Sequence, residues 1–454
     1  MKRLLLLTLL LLLGALPAQA ESAPSARVWL DGTEVATVYE TAVSHQRFWT
    51  ENPELSSTPV AIATHDFPCE VEIAFDREGQ SAVVRPLALG ITPVLRDGKV
   101  CFTMEKPGNL TIEINGSVEG ALHLFVDEPD EKPDPEDKNV VYFGPGVYRD
   151  VLITPKSNQL IYLDEGAVIY GQIFCGMGSN FTIAGHGVIC GSIYDRWKDE
   201  IVPVSLTNCN GFTVRDITIL DPSAWTFNLL RCKNAHIDNV KIISARSNGD
   251  GFTFQNCENI TVQNSFVRSW DDSLVVKGYN GNVSGITFDN MTLWTDLAQS
   301  CEVGYETRAK TIKDITFRNI TVLHNFHKPV LSIHNSDNAD VKNVVFENII
   351  VEDAQMGEGD GTPYLLDLTT TESQWSVTFD RGTINGVTVR NVQVLSGKRP
   401  SIRIWSNDET SVIDNVLIEN LTILGEPITS FDQLTYEASP FNGPAITLQQ
   451  GLRP

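Results

Sequence analysis

Phe212-Thr-Val-Arg-Asp216-Ile-Thr-Ile219 is a line of sequence that returns. It comes back as Ala235-His-Ile-Asp-Asn239-Val-Lys-Ile242 and as Ile260-Thr-Val-Gln-Asn264-Ser-Phe-Val267. The shared pattern is apolar, any, apolar, any, Asn or Asp, apolar, any, apolar. Later copies centre on Asn290, Asn319, Asn348, Asn391 and Asn420, so successive spacings are 23, 25, 26, 29, 29, 43 and 29 residues. A fixed period of this length marks a solenoid, in which each repeat is one coil that cannot bury its apolar face alone. The alternation on both sides of the Asn predicts two short strands meeting at a sharp bend. Asn suits that bend because it tolerates the left-handed backbone conformation, and stacked Asn side chains can bond in a ladder. The leucine pattern and helical stretches of leucine-rich repeats are missing. The long interval holds Asp353 to Arg381, expected to loop out from one coil.

Working outward, the chain is predicted to be all-β: a right-handed parallel β-helix preceded by a small antiparallel β-sandwich. Residues 1–20 read as a secretory signal peptide, with Lys2 and Arg3, an apolar run from Leu4 to Leu13, and Ala18-Gln19-Ala20 before the cut. Residues 21–126 carry short period-two runs such as Val71-Glu-Ile-Ala-Phe75 and Leu110-Thr-Ile-Glu-Ile114, the mark of sandwich strands. Residues 127–138 are charge and proline, a linker. The β-helix occupies 139–454, its repeats fading near Leu424 into a C-terminal tail. Cys209, Cys232 and Cys257 recur just before their copies of the motif, which predicts an internal stack of free thiols. Cys69 and Cys101 are candidates for a bridge.

The 454 residues carry 57 Asp and Glu against 34 Lys and Arg, a formal charge of −23. Such a surface repels nucleic acid and anionic membranes. No Cys-x-x-Cys or Cys/His cluster suggests a metal, and no cofactor is expected. The protein is expected to be secreted (periplasmic or extracellular), monomeric and free of the membrane after cleavage of the leader.

Three carboxylates stand out. Asp271 and Asp272 follow Asp250 at nearly one repeat period. Asp250-Gly-Phe-Thr-Phe aligns with Asp272-Ser-Leu-Val-Val, which puts Asp250 and Asp272 at equivalent places on adjacent coils, about 4.8 Å apart. Asp271 joins them if the chain bends after Trp270. Carboxylates gathered on one wall raise one another's proton affinity. The arrangement suits glycoside hydrolysis, with one acid for the leaving oxygen and one base for water.

The segments Pro222-Ser-Ala-Trp225-Thr-Phe, Asn248-Gly-Asp250-Gly and Trp270-Asp271-Asp272 resemble consecutive motifs of the β-helical glycoside hydrolase clan that contains the polygalacturonases and the dextranase/isopullulanase family. The resemblance spans roughly residues 139–424. It implies inverting hydrolysis, with Asp271 as general acid and Asp250 and Asp272 holding the water. Where polygalacturonases carry Gly-His-Gly, this chain reads Ala298-Gln299-Ser300; where they carry Arg-Ile-Lys, it reads Ser332-Ile333-His334. Glu302-Val-Gly304-Tyr305-Glu306-Thr-Arg308 and Val322-Leu323-His324-Asn325 resemble segments of the dextranase-like branch, which also carries an N-terminal β-sandwich. The expected substrate is therefore a neutral polysaccharide or oligosaccharide, with a pectin hydrolase, a polysaccharide lyase or a non-catalytic glycan-binding protein as alternatives.

Sugar faces pack on aromatic rings. Trp225, Trp270, Tyr279 and Tyr305 are candidate substrate walls, and Trp375 a candidate end to the cleft. Lys277, Glu302, Arg308 and His334 complete the expected substrate contacts; Glu306, His324 and His327 are weaker candidates.

Overall fold

The computed structural model describes residues 24–451. The expected leader, 1–20, lies outside the described residues. Among these, no helix is long and apolar enough to cross a membrane. The architecture is the right-handed parallel β-helix, with two smaller sheets ahead of it.

One parallel sheet of 28 strands runs from Val140–Phe143 to Ile446–Gln449. Its strands pair across coils rather than along the chain. Thr213 stacks on His236, Thr261, Thr287 and Thr316 in turn, and their neighbours Val214, Ile237, Val262, Phe288 and Phe317 point inward. The core is one continuous apolar column. Part of it is a ring stack: Phe254, Phe288, Phe317 and Phe346 follow at 5.4, 5.2 and 5.1 Å between centroids, tilted by only 10–11°.

Asp216, Asn239, Asn264, Asn290, Asn319, Asn348, Asn391 and Asn420 all adopt positive φ, between 52° and 67°. Their amides bond from coil to coil: Asn290 to Asn264 at 2.7 Å, Asn348 to Asn319 at 3.0 Å, Asn391 to Asn348 at 2.8 Å and Asn420 to Asn391 at 2.9 Å. Twice the ladder borrows the preceding aspartate instead, Asn264 bonding Asp238 and Asn319 bonding Asp289. A second Asn ladder, Asn210–Asn234–Asn259, caps another corner.

All eight cysteines are free, and Cys209, Cys232 and Cys257 are buried. Cys69 and Cys101 do not pair. They lie on adjacent strands, but Cys69 faces Met104 and Cys101 faces Glu72. The interval 353–381 is not one loop: Tyr364–Thr369 inside it is a coil strand paired with Leu331–Asn335, and projections leave on both sides.

The N-terminal part has two five-stranded sheets around the core of Val28, Val71, Ile73, Ile112, Leu122 and Leu124. The pairing is antiparallel except between Ser117–Asp127 and Ser56–Thr64, which run parallel. Strand Ser117–Asp127 carries one residue into the segment read as linker, because Asp127 bonds the buried Lys241 of the solenoid at 2.5 Å. One sheet docks on the solenoid: Val43, Val60, Ile62 and Phe125 meet Leu220, Ile243, Phe266 and Trp294. Buried ion pairs accompany the apolar contact, Arg85 with Glu113 and Glu352, and His324 with Glu113 and Asp353.

Removing one ring from the stack should leave a cavity that neighbouring coils cannot fill. Phe317→Ala is expected to destabilise the solenoid by about 3–5 kcal/mol in reversible urea unfolding. A loss under about 1 kcal/mol would mean that the column is loosely packed.

Candidate active site

Phe252 pairs with Leu274 and Thr253 with Val275. Asp250 and Asp272 therefore occupy the same place, two residues upstream, on neighbouring coils. Gly251 N–H donates to the Asp272 carbonyl at 2.8 Å. A side chain at Gly251 would meet the Ser273 carbonyl at 2.4 Å, so the close approach of these two coils needs glycine.

The bend that brings Asp271 beside them rests on buried hydroxyls. Ser269 Oγ donates to the Asp271 carbonyl at 2.7 Å and meets Ser273 Oγ at 2.7 Å. The row continues through Thr295 and Ser300 on the next coil and Asn325 on the one after, at 2.8, 2.7 and 2.9 Å. Asp271 Oδ1 accepts the backbone N–H of Asp272, and Asp272 Oδ1 accepts that of Gln299, both at 3.1 Å. Thr253 Oγ1 donates to Asp250 at 3.2 Å.

The three aspartates share a cavity of about 340 Å³ with Trp49, Trp225, Asn248, Lys277, Gln299, Tyr305, Glu306, Lys328, Gln374 and Trp375. Asp250 and Asp272 are buried and Asp271 half-buried. Burial, then repulsion from Asp271, lifts Asp250 well above the usual carboxylate range and Asp272 to about 7. Lys277 works against both shifts. Burial disfavours its own charge, but Asp250, Glu306 and Asp272 outweigh that and hold it firmly protonated. Its ammonium pairs with Glu306 at 3.1 Å. The site thus holds protons on two buried carboxyls with a third carboxyl beside them, an arrangement suited to acid–base chemistry.

Of the residues singled out from sequence, Asp250, Asp271, Asp272, Trp225, Lys277, Tyr305, Glu306 and Trp375 line this cavity. The others do not. Trp270 is fully buried, whereas Asp271 after it lines the cavity. Tyr279 and Arg308 stack on each other at 4.2 Å farther along the strands, and Arg308 lines a separate cavity. Glu302 and His334 lie beneath the floor. His334 pairs with Glu302 at 2.9 Å and with Asp367 at 3.2 Å, and its ring stacks on Tyr305 at 4.3 Å and 3°. Burial opposes its charge, but these two carboxylates push His334 up to about 10. His324 belongs to the docking face, and His327 is tied to Leu297 O and Asp360.

Sequence reasoning missed Trp49, Asn248, Gln299, Lys328 and Gln374. Asn248 and Gln299 stood inside quoted motifs; the other three sit in segments with no period. Trp49 comes from the sandwich. Its segment, 44–55, lies across the solenoid, held by Arg47 to Asp296 at 3.4 Å, by Ser247 Oγ to Thr50 O at 2.6 Å and by Trp197 Nε1 to Glu51 O at 3.1 Å.

A model of the glycosyl hydrolases family 28 matches residues 169–436. A probable rhamnogalacturonase A of Aspergillus oryzae is 26% identical over 283 residues, 60% of this chain and 56% of that one. Rhamnogalacturonase A of Aspergillus aculeatus is 25% identical over 229 residues, 49% and 48% of the two chains. The chain thus spans about half the length of these relatives. Dex49A from Penicillium minioluteum has the same fold at a TM-score of 0.56 and 16% identity, covering 94% of this chain and 93% of that one.

A carboxyl that ionises higher in the folded chain than in the unfolded one stabilises fully below its unfolded value, about 4. For Asp272 that contribution is lost as pH rises through about 7. Asp272→Asn removes the loss. Its thermal midpoint should exceed that of the native chain at pH 8 and match it at pH 4. Equal shifts at the two pH values would show that Asp272 is not held proton-rich.

Proposed function

The chain belongs to the glycosyl hydrolases family 28, and on that premise we propose that it hydrolyses a uronate-bearing polysaccharide of the pectic class with inversion at the anomeric carbon. The observation that carries the reading is the stacking of Asp250 on Asp272 with Asp271 beside them in one cavity. The neutral, dextranase-like substrate expected from the missing basic motif gives way here. The family match and the rhamnogalacturonase relatives favour the pectic alternative, and the likeness to Dex49A extends to the fold alone. The cavity also supplies cations outside that motif, the expected Lys277 and the unexpected Lys328. Lys328 lines it without an ion-pair partner among the described residues, and Lys277 stands opposite Trp225 at 5.8 Å. Lys328 is the candidate counter-ion for a sugar carboxylate.

In the proposed reaction the sugar lies between Trp225 and Tyr305, with Trp49 and Trp375 at the margins. Asp271, the most exposed of the trio, protonates the departing glycosidic oxygen. Asp250 and Asp272 hold the attacking water on the opposite face, and one of them takes its proton. Burial and mutual repulsion hold a proton on the Asp250–Asp272 pair, beside Asp271, into the neutral range. As pH rises through the range in which the buried pair ionises, the last shared proton leaves, so activity is expected to fall above about pH 7.

A panel of rhamnogalacturonan, polygalacturonan and dextran, followed by reducing-end release and by NMR of the first-formed anomer, tests the proposal. The native chain should cleave a pectic member and release the inverted anomer. Asp271→Asn should lower kcat by about 10²–10⁴-fold. Cleavage of dextran alone, retention of configuration or an unsaturated, ultraviolet-absorbing product would each defeat it. Lys328→Met should raise KM for the uronate-bearing substrate at least about tenfold with kcat nearly kept, since it removes binding rather than chemistry. An unchanged KM would remove Lys328 from substrate recognition.

A further inference from the structure

His186 lies in the turn between strands Thr182–Ala184 and Val188–Cys190, away from the cleft, and its side chain is only 5% exposed. Its Nδ1 faces Asp127 Oδ2 at 3.2 Å. Asp127 also accepts from Lys241 at 2.5 Å and from Asn239 at 2.9 Å. With Nδ1 turned to that carboxylate, Nε2 is the nitrogen that faces the pocket. That nitrogen is buried and has no hydrogen-bond partner. It points towards Asp130 Oδ2 at 3.7 Å. Asp216 completes a group whose donor atoms all lie within 4.8 Å of one another.

The charges around the pocket are three carboxylates, Asp127, Asp130 and Asp216, against Lys241 and Arg215. Arg215 pairs with both Asp130 and Asp216, and its side chain is 38% exposed. Arg215 meets the two carboxylates but leaves His186 Nε2 without a partner, whereas a small dication can take all three donors at bonding distance.

We propose that His186 Nε2, Asp130 and Asp216 bind one divalent transition-metal ion of the zinc type, fastening the segment that leaves the sandwich to the early coils of the solenoid. One imidazole and two carboxylates, with water as a fourth ligand, form a usual zinc donor set, whereas calcium and magnesium take oxygen alone. The pairing of Nδ1 with Asp127 is the outer contact that orients a metal-binding imidazole. Donors on a tetrahedral zinc stand about 3.4 Å apart. The His186–Asp130 distance is close to that. Asp130 lies in an irregular stretch and supplies the remaining movement, while Asp216 is fixed in the Asn ladder. Arg215 swings outward as the ion takes its place between the two carboxylates. The three ligands are scattered in sequence, so no spacing motif announces the site.

The test uses the whole chain after dialysis against EDTA. Zinc is titrated by calorimetry and counted in the dialysed complex, and cobalt replaces it for visible spectroscopy. The expected result is one ion per chain, a higher thermal midpoint with zinc, and the absorption of four-coordinate cobalt. Asp130→Asn should weaken binding at least about tenfold, and His186→Gln should abolish it. Arg215→Ala should strengthen it by removing the competing cation. Asp271→Asn should leave it unchanged, which separates this site from the acidic cleft. Should His186→Gln fail to fold, Asp130→Asn decides, since it alters only a partly exposed side chain on an irregular segment. No zinc bound by the native chain, undiminished binding by Asp130→Asn, or weaker binding by Arg215→Ala overturns the proposal.

Discussion

Each feature of the cleft depends on one constraint, that neighbouring coils pair in parallel without slipping. A slip by one residue would turn every side chain of a strand to the opposite face. The left-handed Asn corners oppose it from one side, since each amide finds its partner on the next coil only in the native alignment. The phenylalanine column opposes it from inside, and the buried hydroxyl row from beneath the aspartates. The same alignment sets Asp250 on Asp272. The backbone ladder thus holds together two groups that electrostatics alone would separate.

Charge is handled differently elsewhere in the molecule. Arg268 and Asp296 are fully buried but paired at 3.1 Å, and Asp367 is gripped by Arg403 through two bonds at 2.7 Å. Unpaired ions in such places would cost several kcal/mol each, so structural charges come with partners. The cleft departs from this pattern. There Lys277 is the one ammonium set deep among Asp250, Asp272 and Glu306, and the excess negative charge is relieved by holding protons instead. That imbalance, in a cavity walled by tryptophans, distinguishes the cleft from the docking face.

The solenoid was legible in the sequence because its corners demand one residue type once per coil. The aspartates were legible because their spacing matches the period. Trp270 was misjudged because nearness in the chain is not nearness in space; it abuts Asp271 in sequence and is fully buried. Tyr279 and Arg308 share the coil register yet sit too far along their strands. Glu302 and His334 point under Tyr305 rather than into the cleft, which a strand pattern buried on both faces does not reveal. Trp49, Lys328 and Gln374 carry no periodic signal, and the docking of the sandwich depends on side chains far apart in sequence, such as Phe125 and Trp294.

The strap that carries Trp49 has a consequence for how the cleft can vary. It belongs to the appended module and lies outside the stretch matched by the family model, residues 169–436. The three aspartates stand on the coils, whereas part of the cavity wall stands on a segment outside them. Substitutions in the strap, residues 44–55, therefore reshape that margin without touching the register that sets Asp250 on Asp272.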